Sequence, residues 1–408
     1  MSAPVSLPNA SVWPAHTTEM RDWRQSIRGG SREDRMLRSV AVSIPPRIAH
    51  LTYTPGPELT AAAERALVEV ATTDAEARAQ SRALGRFMLR TESVASSKIE
   101  RISATAADYA RALAGSRANS SATSMVAASA ALHRLVDRAG DAGTITVEDL
   151  LAAHRTLMAD DSAEAHYAGR LRDVQNWIGG SDHSPRNALY VPPPPDLVAP
   201  LLDDLIEWAD RDDVPVFAQV AIAHAQFESI HPFTDGNGRV GRALVSAILR
   251  RRGVTKTAVM PLASGLLAVR DDYFSSLTAY REGDPTTIIA IMVRAAVAAA
   301  TESRTSSDAL RELPAEWRSL VDATDGSATD RLLTALLDDP VMSGEDAITA
   351  LGSTPATAYA ALDRLTDAGV ITEITGRKRD RVWAANDVIG ELDDLDRRIQ
   401  RRMLAPAE

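Results

Sequence analysis

The chain has 408 residues, of which 45% are hydrophobic and 25% charged, with a formal net charge of −10 and a pI near 5.4. This composition is typical of a soluble globular protein of two or three domains, and the acidic balance excludes a surface that binds nucleic acid over its whole extent. The chain has no cysteine, which excludes disulfides, thiolate nucleophiles and cysteine metal sites. We identified neither a secretion signal nor an apolar run of membrane-spanning length, so we expect a cytoplasmic protein with no membrane partner.

The first three quarters of the chain predict a mainly α fold. Residues 1–45 are rich in Ser, Arg and Pro without a sustained period, which indicates an N-terminal arm packed on the body. Residues 46–312 are rich in Ala and Leu at helical spacing, with Pro and Gly at the breaks, which predicts a helical bundle. Within it, residues 171–195 place β-prone residues around a Gly-Gly pair and a polar turn, so we expect a β-hairpin there.

The C-terminal part has a different pattern. Residues 313–327 indicate a linker with a polar turn, and residues 328–386 predict three short helices followed by an alternating, two-stranded segment. This order resembles a winged helix-turn-helix domain. Residues 387–408 carry mixed charges at helical spacing, which indicates a helical tail that is either solvated or a contact of a homodimer.

The predicted wing carries a cluster of basic residues, namely Arg377, Lys378, Arg379 and Arg381. Such residues can contact phosphates of DNA. The predicted recognition helix, however, carries Asp363 and Asp367, so it is not basic. A DNA partner and a protein partner at this domain therefore both remain open.

The residues with chemical potential concentrate in residues 231–242, whose sequence is HPFTDGNGRVGR. Gly236 and Gly238 permit close backbone approaches, so successive amide groups can point into one anion-binding hollow, and the following helix adds its positive N-terminal end. Arg239 and Arg242 lie three residues apart on that helix, so both can reach a polyphosphate. The segment is suited to binding phosphates.

Two further side chains supply reactive groups. Asp235 offers a hard oxygen ligand for Mg²⁺, and His231 can accept a proton from an attacking hydroxyl at neutral pH. Phe233 is predicted to anchor the loop in the core. The segment also spells G-x-G-x-x-G, but a helical pattern precedes it where a dinucleotide-binding fold requires a strand, which excludes that fold.

Residues 231–242 resemble the signature of the Fic family, H-x-F-x-(D/E)-G-N-G-R-x-x-R, and match it at every specified position. The resemblance extends over about residues 45 to 300, since GRLRDVQNWIGG and ALYVPPPPDLV resemble the family's flap and the segment after it. It implies an enzyme that uses ATP and Mg²⁺ to place AMP on a Ser, Thr or Tyr hydroxyl of a protein substrate or of itself.

The resemblance also implies roles for individual residues. His231 would be the general base and Asp235 the Mg²⁺ ligand. The nucleotide-binding residues implied in this way are Phe233, Gly236, Asn237, Gly238, Arg239 and Arg242. The flap aligns the target by strand addition, which uses backbone hydrogen bonds and tolerates sequence variation. The flap residues implied to bind the target are Trp177, Ile178, Gly179 and Tyr190.

A second segment, Ser96-Ser-Lys-Ile-Glu100-Arg101, resembles the inhibitory motif (S/T)-x-x-x-E-(G/N) of the same family and departs from it only at Arg101. Ser96 and Glu100 lie one helical turn apart on one face. The resemblance implies an inhibitory helix near residues 91–104, whose Glu100 pairs with Arg242 and prevents the productive pose of ATP.

Three alternatives to a restrained transferase remain open at this point. The chain is either such an enzyme, a DNA-binding regulator whose Fic body senses nucleotide, an adaptor whose flap binds peptides without chemistry, or a bifunctional enzyme that also removes AMP. The complete motif argues against the adaptor, because binding alone needs neither a base nor a metal carboxylate. The target protein is not encoded in any recognisable pattern.

Overall fold

We analysed a computed structural model, which describes residues 13–25, 29–80, 82–115, 119–161, 164–376 and 379–406. The chain forms two compact units, each discontinuous in sequence. Unit 1 comprises Met1–Arg65, Arg134–Gly253 and Arg270–Val293, and unit 2 comprises Ala66–His133, Val254–Val269 and Arg294–Glu408. Three helices have residues in both units: α2 (Pro57–Gln80), α5 (Ser120–Ala142) and α12 (Thr286–Val321).

This division differs from the consecutive domains that the sequence suggested. The predicted body of residues 46–312 contributes to both units, and unit 2 joins the C-terminal residues to helices from the first third of the chain. The physical reason is that helices distant in sequence bury their apolar faces against each other, which a pattern read along the chain does not reveal.

Unit 1 begins with a β-hairpin formed by β1 (Thr17–Asp22) and β2 (Ser39–Ile44), joined through the short helix α1 (Arg32–Met36). The strands pair antiparallel, from Thr17 opposite Ile44 to Asp22 opposite Ser39. One face buries a small cluster, whose members are Trp23, Val40 and Val42 with Leu37, Ile44, Trp177 and Val191 packed against them. The described part of the predicted N-terminal arm thus contains a hairpin that packs on the segment predicted to be the flap, whereas residues 1–12 and 26–28 of the arm lie outside the described residues.

The helices of unit 1 surround one central helix, α8 (Val216–Ile230), which is buried from Phe217 to Ile230. Its neighbours are α7 (Pro195–Ala209), α9 (Asn237–Arg251) and α11 (Arg270–Arg281), and α9 also contacts α6 (Val147–Met158). The α8 and α9 helices pack so closely that a Cβ atom on Gly241 would lie 2.7 Å from a carboxylate oxygen of Glu228. This packing fixes the loop between them, where the motif lies.

Unit 2 is built on three mutually packed helices: α3 (Arg82–Ile99), α10 (Leu262–Ala268) and α16 (Asn386–Leu404). On α16, Leu395, Ile399 and Met403 are at most 2% exposed. The prediction of a solvated helix at the C-terminus is therefore wrong, because this helix contributes a face of the core. Unit 2 also contains the short helix α4 (Ala106–Leu113), which follows α3 in the chain.

The predicted linker at residues 313–327 is wrong for residues 313–321, because α12 continues to Val321 with Pro314 inside it. Trp317 is completely buried, and its Nε1–H group donates to a carboxylate oxygen of Asp387 at 2.7 Å, which holds this end of the helix. Among the described residues, α12 is also the one helix that meets the length and hydropathy of a membrane span, and 61% of that apolar stretch is buried inside the protein. A buried core helix meets the same criterion.

After α12, the chain forms three short helices and a three-stranded antiparallel sheet. The helices are α13 (Ala328–Asp338), α14 (Gly344–Leu351) and α15 (Pro355–Asp367). The strands are β3 (Val341–Ser343), β4 (Ile371–Glu373) and β5 (Val382–Ala385), in the order β3-β5-β4. These elements fall where the sequence predicted them, with one strand more than expected, and their assignment as a winged helix-turn-helix stays a prediction.

Basic side chains of this region make internal contacts. Arg364 on α15 donates to the carbonyl oxygen atoms of Val321 and Asp322, at 2.7 and 2.9 Å. The Arg381 guanidinium lies 4.8 Å from the ring centroid of Trp383. Arg377 and Lys378, predicted to contact phosphates, lie outside the described residues.

Candidate active site

The motif begins where α8 ends. His231 is the residue after α8 and adopts a left-handed conformation, with φ 50° and ψ 62°, while its N–H group donates to the carbonyl oxygen of Phe227 at 2.9 Å. A side chain in this conformation costs roughly 1–2 kcal/mol and persists where the surroundings enforce it, as at functional sites. The strained backbone turns the chain sharply and directs it into the motif loop.

The loop ends at Gly236, which directly precedes α9. Gly236 also has a left-handed conformation, with φ 76°, and a Cβ atom there would lie 2.9 Å from Cδ2 of Leu157. Only glycine meets both conditions without strain. The first N–H groups of α9 have no acceptor within the helix, and the helix dipole makes this end positive, so this end of the loop is suited to an anion.

Phe233 and Asn237 brace the loop from inside. The side chain of Asn237 accepts from the N–H group of Phe233 and donates to its carbonyl oxygen, each at 2.9 Å. Asn176 donates to the same carbonyl at 2.9 Å. The Phe233 ring is completely buried and stacks on the ring of His154 at 3.8 Å. Phe233 is the anchor that its apolar character predicted, and neither it nor the amide of Asn237 presents a free side chain to a nucleotide.

The charged residues of the motif lie on both sides of the start of α9. Arg239 and Arg242 are 6% and 2% exposed, respectively. Asp235 precedes them in the loop, with 58% of its side chain exposed, and its Oδ2 atom lies 3.4 Å from Nη2 of Arg239. The structure thus brings the predicted base, carboxylate and two guanidinium groups to one loop and the first two turns of one helix.

His154 on α6 is a site residue that the sequence did not identify. Its Nδ1 atom accepts from the N–H group of Gly169 at 3.0 Å, so the proton is on Nε2, which lies 3.1 Å from the carbonyl oxygen of Asp235 and donates to it. Burial lowers the pKa of His154 to about 4, so the ring is neutral at pH 7. His154 therefore holds the backbone of Asp235. A lone histidine on an apolar helix gave no signal of this role.

Arg172 is a second residue that the sequence did not single out, although it lies in the segment resembling the flap. Its guanidinium donates to the carbonyl oxygen of His231 at 2.8 Å and to that of Pro193 at 2.5 Å, and its N–H group donates to the carbonyl of Pro232 at 2.9 Å. Burial lowers its pKa to about 10, which leaves it cationic at pH 7. Arg172 ties both ends of the flap to the motif loop.

The flap itself is shorter than the predicted hairpin. Within the described residues it pairs through one antiparallel bridge, in which the N–H group of Ile178 donates to the carbonyl oxygen of Tyr190 at 2.8 Å. Tyr190 is 8% exposed and donates through its hydroxyl to the carbonyl of Ser229 at 2.7 Å. Its predicted contact with a target is therefore wrong for the side chain, which packs at the base of the flap. Leu189, which is 85% exposed, is the apolar side chain that faces outward.

The N-terminal hairpin fastens the flap at two points. Trp177 packs edge to face on Trp23, with ring centroids 5.5 Å apart. The carboxylate of Asp34 accepts from the hydroxyl of Ser184 at 2.6 Å, which holds the pKa of Asp34 well below its usual range. Arg186 lies 3.4 Å from the same carboxylate.

The segment that resembles the inhibitory motif lies at the end of α3, in unit 2. The predicted helix at residues 91–104 is too long at its C-terminal end, since α3 stops at Ile99. Arg101 has φ 61°, and its N–H group donates to the carbonyl oxygen of Lys98 at 2.9 Å. It thus takes the left-handed conformation for which the motif has Gly or Asn. Ser96 is buried, Glu100 is exposed, and the pairing of Glu100 with Arg242 stays a prediction.

Comparison with known proteins bears on the fold and on the motif region. Residues 144–249 match the sequence model of the Fic/DOC family. A crystal structure of a Fic family protein from Desulfovibrio desulfuricans G20 is similar in fold, with a TM-score of 0.52 and 24% identity, over 82% of this chain and 97% of that one.

Curated relatives match over the same region. The chain is 30% identical over 143 residues to protein adenylyltransferase fic-1 of Caenorhabditis elegans, and the aligned region covers 34% of this chain and 25% of that protein. It is 30% identical over 154 residues to protein adenylyltransferase Fic of Nematostella vectensis, 37% of this chain and 32% of that protein. It is 38% identical over 97 residues to a probable protein adenylyltransferase of Aquifex aeolicus, 24% of this chain and 28% of that protein. The chain thus spans between a quarter and a third of the length of these relatives.

The mainly helical fold, with the motif loop between two packed helices and a flap tied to that loop, is similar to the fold of the Desulfovibrio desulfuricans protein. The match over residues 144–249 contains the whole motif and the whole flap region of residues 171–195. This segment of the chain is thus similar in sequence to the Fic/DOC family.

Proposed function

We propose that this protein is an adenylyltransferase, which transfers AMP from ATP to a Ser, Thr or Tyr hydroxyl of a target protein or of itself. The activity named for the curated relatives that match the motif region supports this function. The observation that carries it is that His231, Arg239 and Arg242 lie on one loop and the first two turns of α9, because a base, two cations and the N-terminus of a helix suit transfer from a polyphosphate.

In the proposed reaction, the hydroxyl oxygen of the target forms a bond to the α-phosphorus of ATP. The bond from that phosphorus to the oxygen bridging to the β-phosphate breaks, and pyrophosphate leaves with its electron pair. The imidazole of His231 accepts the hydroxyl proton, a step typically worth roughly 10²- to 10⁴-fold. Arg239, Arg242 and the first N–H groups of α9 offset the negative charge of the phosphates, which supplies most of the remaining stabilisation.

We propose Mg²⁺ as the metal of this site, with the Asp235 carboxylate as its protein ligand. The carboxylate is largely exposed at the loop and offers the hard oxygen that Mg²⁺ prefers. In the part of the chain that the structure describes, no group of three or more His, Asp or Glu side chains would hold an ion alone. A single carboxylate fits an ion that keeps several waters and enters with the phosphates, whose charge it neutralises.

The target strand is proposed to add to the flap along the edge of Trp177 and Gly179. The N–H group of Ile178 donates to the carbonyl of Tyr190, and its carbonyl accepts from the N–H groups of Leu189 and Tyr190. In an extended strand, the backbone groups of its two neighbours therefore point to the opposite edge of the flap. The opposite side of the flap is already engaged, because the N–H group of Ser43 on β2 donates to the carbonyl of Val191 at 2.9 Å. The exposed Leu189 side chain adds an apolar contact beside the open edge.

We further propose that Glu100 restrains the enzyme by pairing with Arg242. A carboxylate paired with this guanidinium competes for donors that the ATP phosphates need. The left-handed turn at Arg101 supports this reading, because the chain adopts the conformation that the inhibitory motif requires despite lacking its Gly or Asn. Whether the same glutamate also assists AMP removal is a second outcome of the test below.

The test is incubation of the full chain with ATP labelled at the α-phosphate, Mg²⁺ and cell lysate. We expect Glu100→Gly to raise labelling, including self-labelling, by roughly 5- to 150-fold, the range of typical coupling free energies between sites. We expect His231→Ala, alone or combined with Glu100→Gly, to abolish labelling while nucleotide binding persists, and the exposed His50→Ala to leave labelling unchanged.

The outcomes separate the proposals. No labelling by any form would overturn the transferase, whereas labelling that Glu100→Gly does not raise would overturn only the inhibition. Omission of Mg²⁺ should abolish labelling, and transfer without a divalent ion would remove the proposed role of Asp235. Loss of the label from pre-modified protein in the parent, but not in Glu100→Gly, would assign AMP removal to Glu100.

For the C-terminal region we propose a cytoplasmic protein partner. Arg364 and Arg381 are engaged in internal contacts, and α15 carries two aspartates, so the described surface is poorly suited to DNA phosphates. Binding to duplex DNA that weakens steeply with salt would favour the alternative, a DNA-binding regulator. The homodimer considered from the sequence is tested by sedimentation of the full chain.

A further inference from the structure

Unit 2 contains a cavity of about 220 Å³ that none of the roles above uses. It lies between α3 and α16, with α4 and α5 contributing Tyr109 and Met125. The side chains that make its walls apolar are Val94, Met125, Ile389 and Leu392. A cavity of about 150 Å³ with apolar walls accommodates benzene, so this one has room for a ring with a short chain attached.

Two regular stripes of side chains explain where the cavity lies. Thr91, Val94 and Lys98 are spaced by three and four residues, so they lie on one face of α3. Ile389, Leu392 and Asp396 have the same spacing on α16. Because α3 and α16 pack on each other within unit 2, the two stripes line a common space.

The cavity lining carries more negative than positive side chains. Lys98 pairs with Asp396, whose residue is 6% exposed, through Nζ and Oδ2 at 2.9 Å. The other oxygen of Asp396, Oδ1, is buried and accepts no hydrogen bond from the described residues. Asp393 lies on the same lining and is exposed. One lysine and two aspartates leave a net charge of −1 on the lining.

We propose that this cavity binds a small amphipathic cation, an amine carried on a compact apolar body. The ammonium group would lie near Asp393 and the Lys98–Asp396 pair, where it restores neutrality, and the apolar body would lie against Val94 and Leu392. An anion of the same shape meets a net negative lining, and a neutral molecule leaves the excess charge unpaired. Both therefore bind more weakly than the amine.

Occupation of the cavity also bears on the segment that carries Glu100. Lys98 lines the cavity, and its carbonyl oxygen accepts the N–H group of Arg101, which closes the turn around Glu100. A ligand that orders Lys98 steadies this turn, so the amine would regulate the inhibitory segment. This last step rests on the proposed function, whereas binding of the amine does not.

The test uses the full chain and three probes of one shape: phenethylamine, the neutral 2-phenylethanol and the anionic 3-phenylpropionate. Binding is followed by calorimetry and by NMR. We expect saturable binding of the amine, about five- to tenfold weaker binding to Asp393→Asn, and no change with Asp394→Asn, whose carboxylate pairs with Arg397 on the same helix. Val94→Phe and Leu392→Phe, which fill the cavity, should each abolish binding.

The two cavity-filling variants, Val94→Phe and Leu392→Phe, keep the test decisive if one of them fails to fold. Absence of saturable amine binding, equally tight binding of the anionic probe, or persistence of binding in a folded cavity-filled variant would overturn the site. In hydrogen exchange, the amine should slow the amides of residues 100–102, and unchanged exchange with bound amine would overturn the coupling. A chain that binds the amine yet never labels itself with AMP would retain the site and lose the proposed function.

Discussion

The ring of His154 joins α6 to the motif loop, since its Nε2–H group donates to the carbonyl oxygen of Asp235 across 3.1 Å while Nδ1 accepts from Gly169. One nitrogen of the neutral imidazole thus holds the backbone of the proposed metal ligand, and the other is held by the N–H group of Gly169. The same ring stacks on Phe233, so the loop is held from its apolar and its polar side at once.

This relationship predicts different activities for two amide replacements. His154→Gln keeps an N–H donor near the position of Nε2, whereas His154→Asn has polar atoms only near the position of Nδ1. We expect the Asn variant to lose roughly 10²-fold in the rate of self-labelling, the cost of misplacing a group by about 1 Å, and the Gln variant to lose less. The rates are compared in the Glu100→Gly background. Equal losses would show that the contact with Asp235 does not position the loop.

The buried histidines predict that the protein loses stability in mild acid. Burial lowers the pKa of His154 to about 4 and that of His16 to about 3, against about 6.5 in an unfolded chain. Below pH 6.5 the unfolded chain therefore binds protons that the folded chain does not, and the free energy of unfolding falls as the pH falls toward these lowered values. The slope approaches about 1.4 kcal/mol per pH unit for each histidine.

Denaturant unfolding between pH 6.5 and 4.5 measures this slope. His154→Gln removes one of these groups, so its slope should be shallower than that of the parent, by up to about 1.4 kcal/mol per pH unit. An unchanged slope in this variant would mean that His154 takes up its proton equally well in the folded protein.

The left-handed backbone conformation of Arg101, which follows the end of α3, predicts that a glycine at this position stabilises the protein. Arg101 has φ 61°, a conformation that costs a side chain roughly 1–2 kcal/mol and glycine almost nothing, although glycine restores some entropy to the unfolded chain. We expect Arg101→Gly to raise the free energy of unfolding by about 1 kcal/mol. Arg101→Ala is the matched control, because it removes the same side chain and keeps the strained angle. A similar gain in both variants would attribute the effect to the side chain instead.

The contact of the N-terminal hairpin with the flap predicts a change in flap dynamics. Asp34 is 3% exposed and accepts from Ser184 at 2.6 Å, so Asp34→Ala leaves the flap without this tether. We expect faster hydrogen exchange at residues 178–190 and weaker capture of a protein target, with nucleotide affinity unchanged. Glu19→Ala, on the exposed strand of the same hairpin, is the control. Flap exchange that responds alike to both changes would argue against the tether.

Several features of the protein were predictable because they are encoded locally. The mainly α fold follows from apolar spacing along the chain, and the similarity to the Fic/DOC family follows from the types and spacing of residues 231–242. The conformation of Gly236 and the start of α9 behind it follow from the same short segment. These signals depend on neighbours within a few residues, which a single sequence displays directly.

The tertiary structure decided which side chains face the site and which support it. Tyr190 resembles a flap residue in sequence but packs at the base of the flap. His154 and Arg172 hold the motif loop across 81 and 59 residues of sequence, respectively. The C-terminal helix shares a core with α3, although nearly 300 residues separate Lys98 from Asp396. Helical periodicity identifies the apolar face of each element, but only packing determines the partner of that face, because burial is non-directional and any matching apolar surface satisfies it.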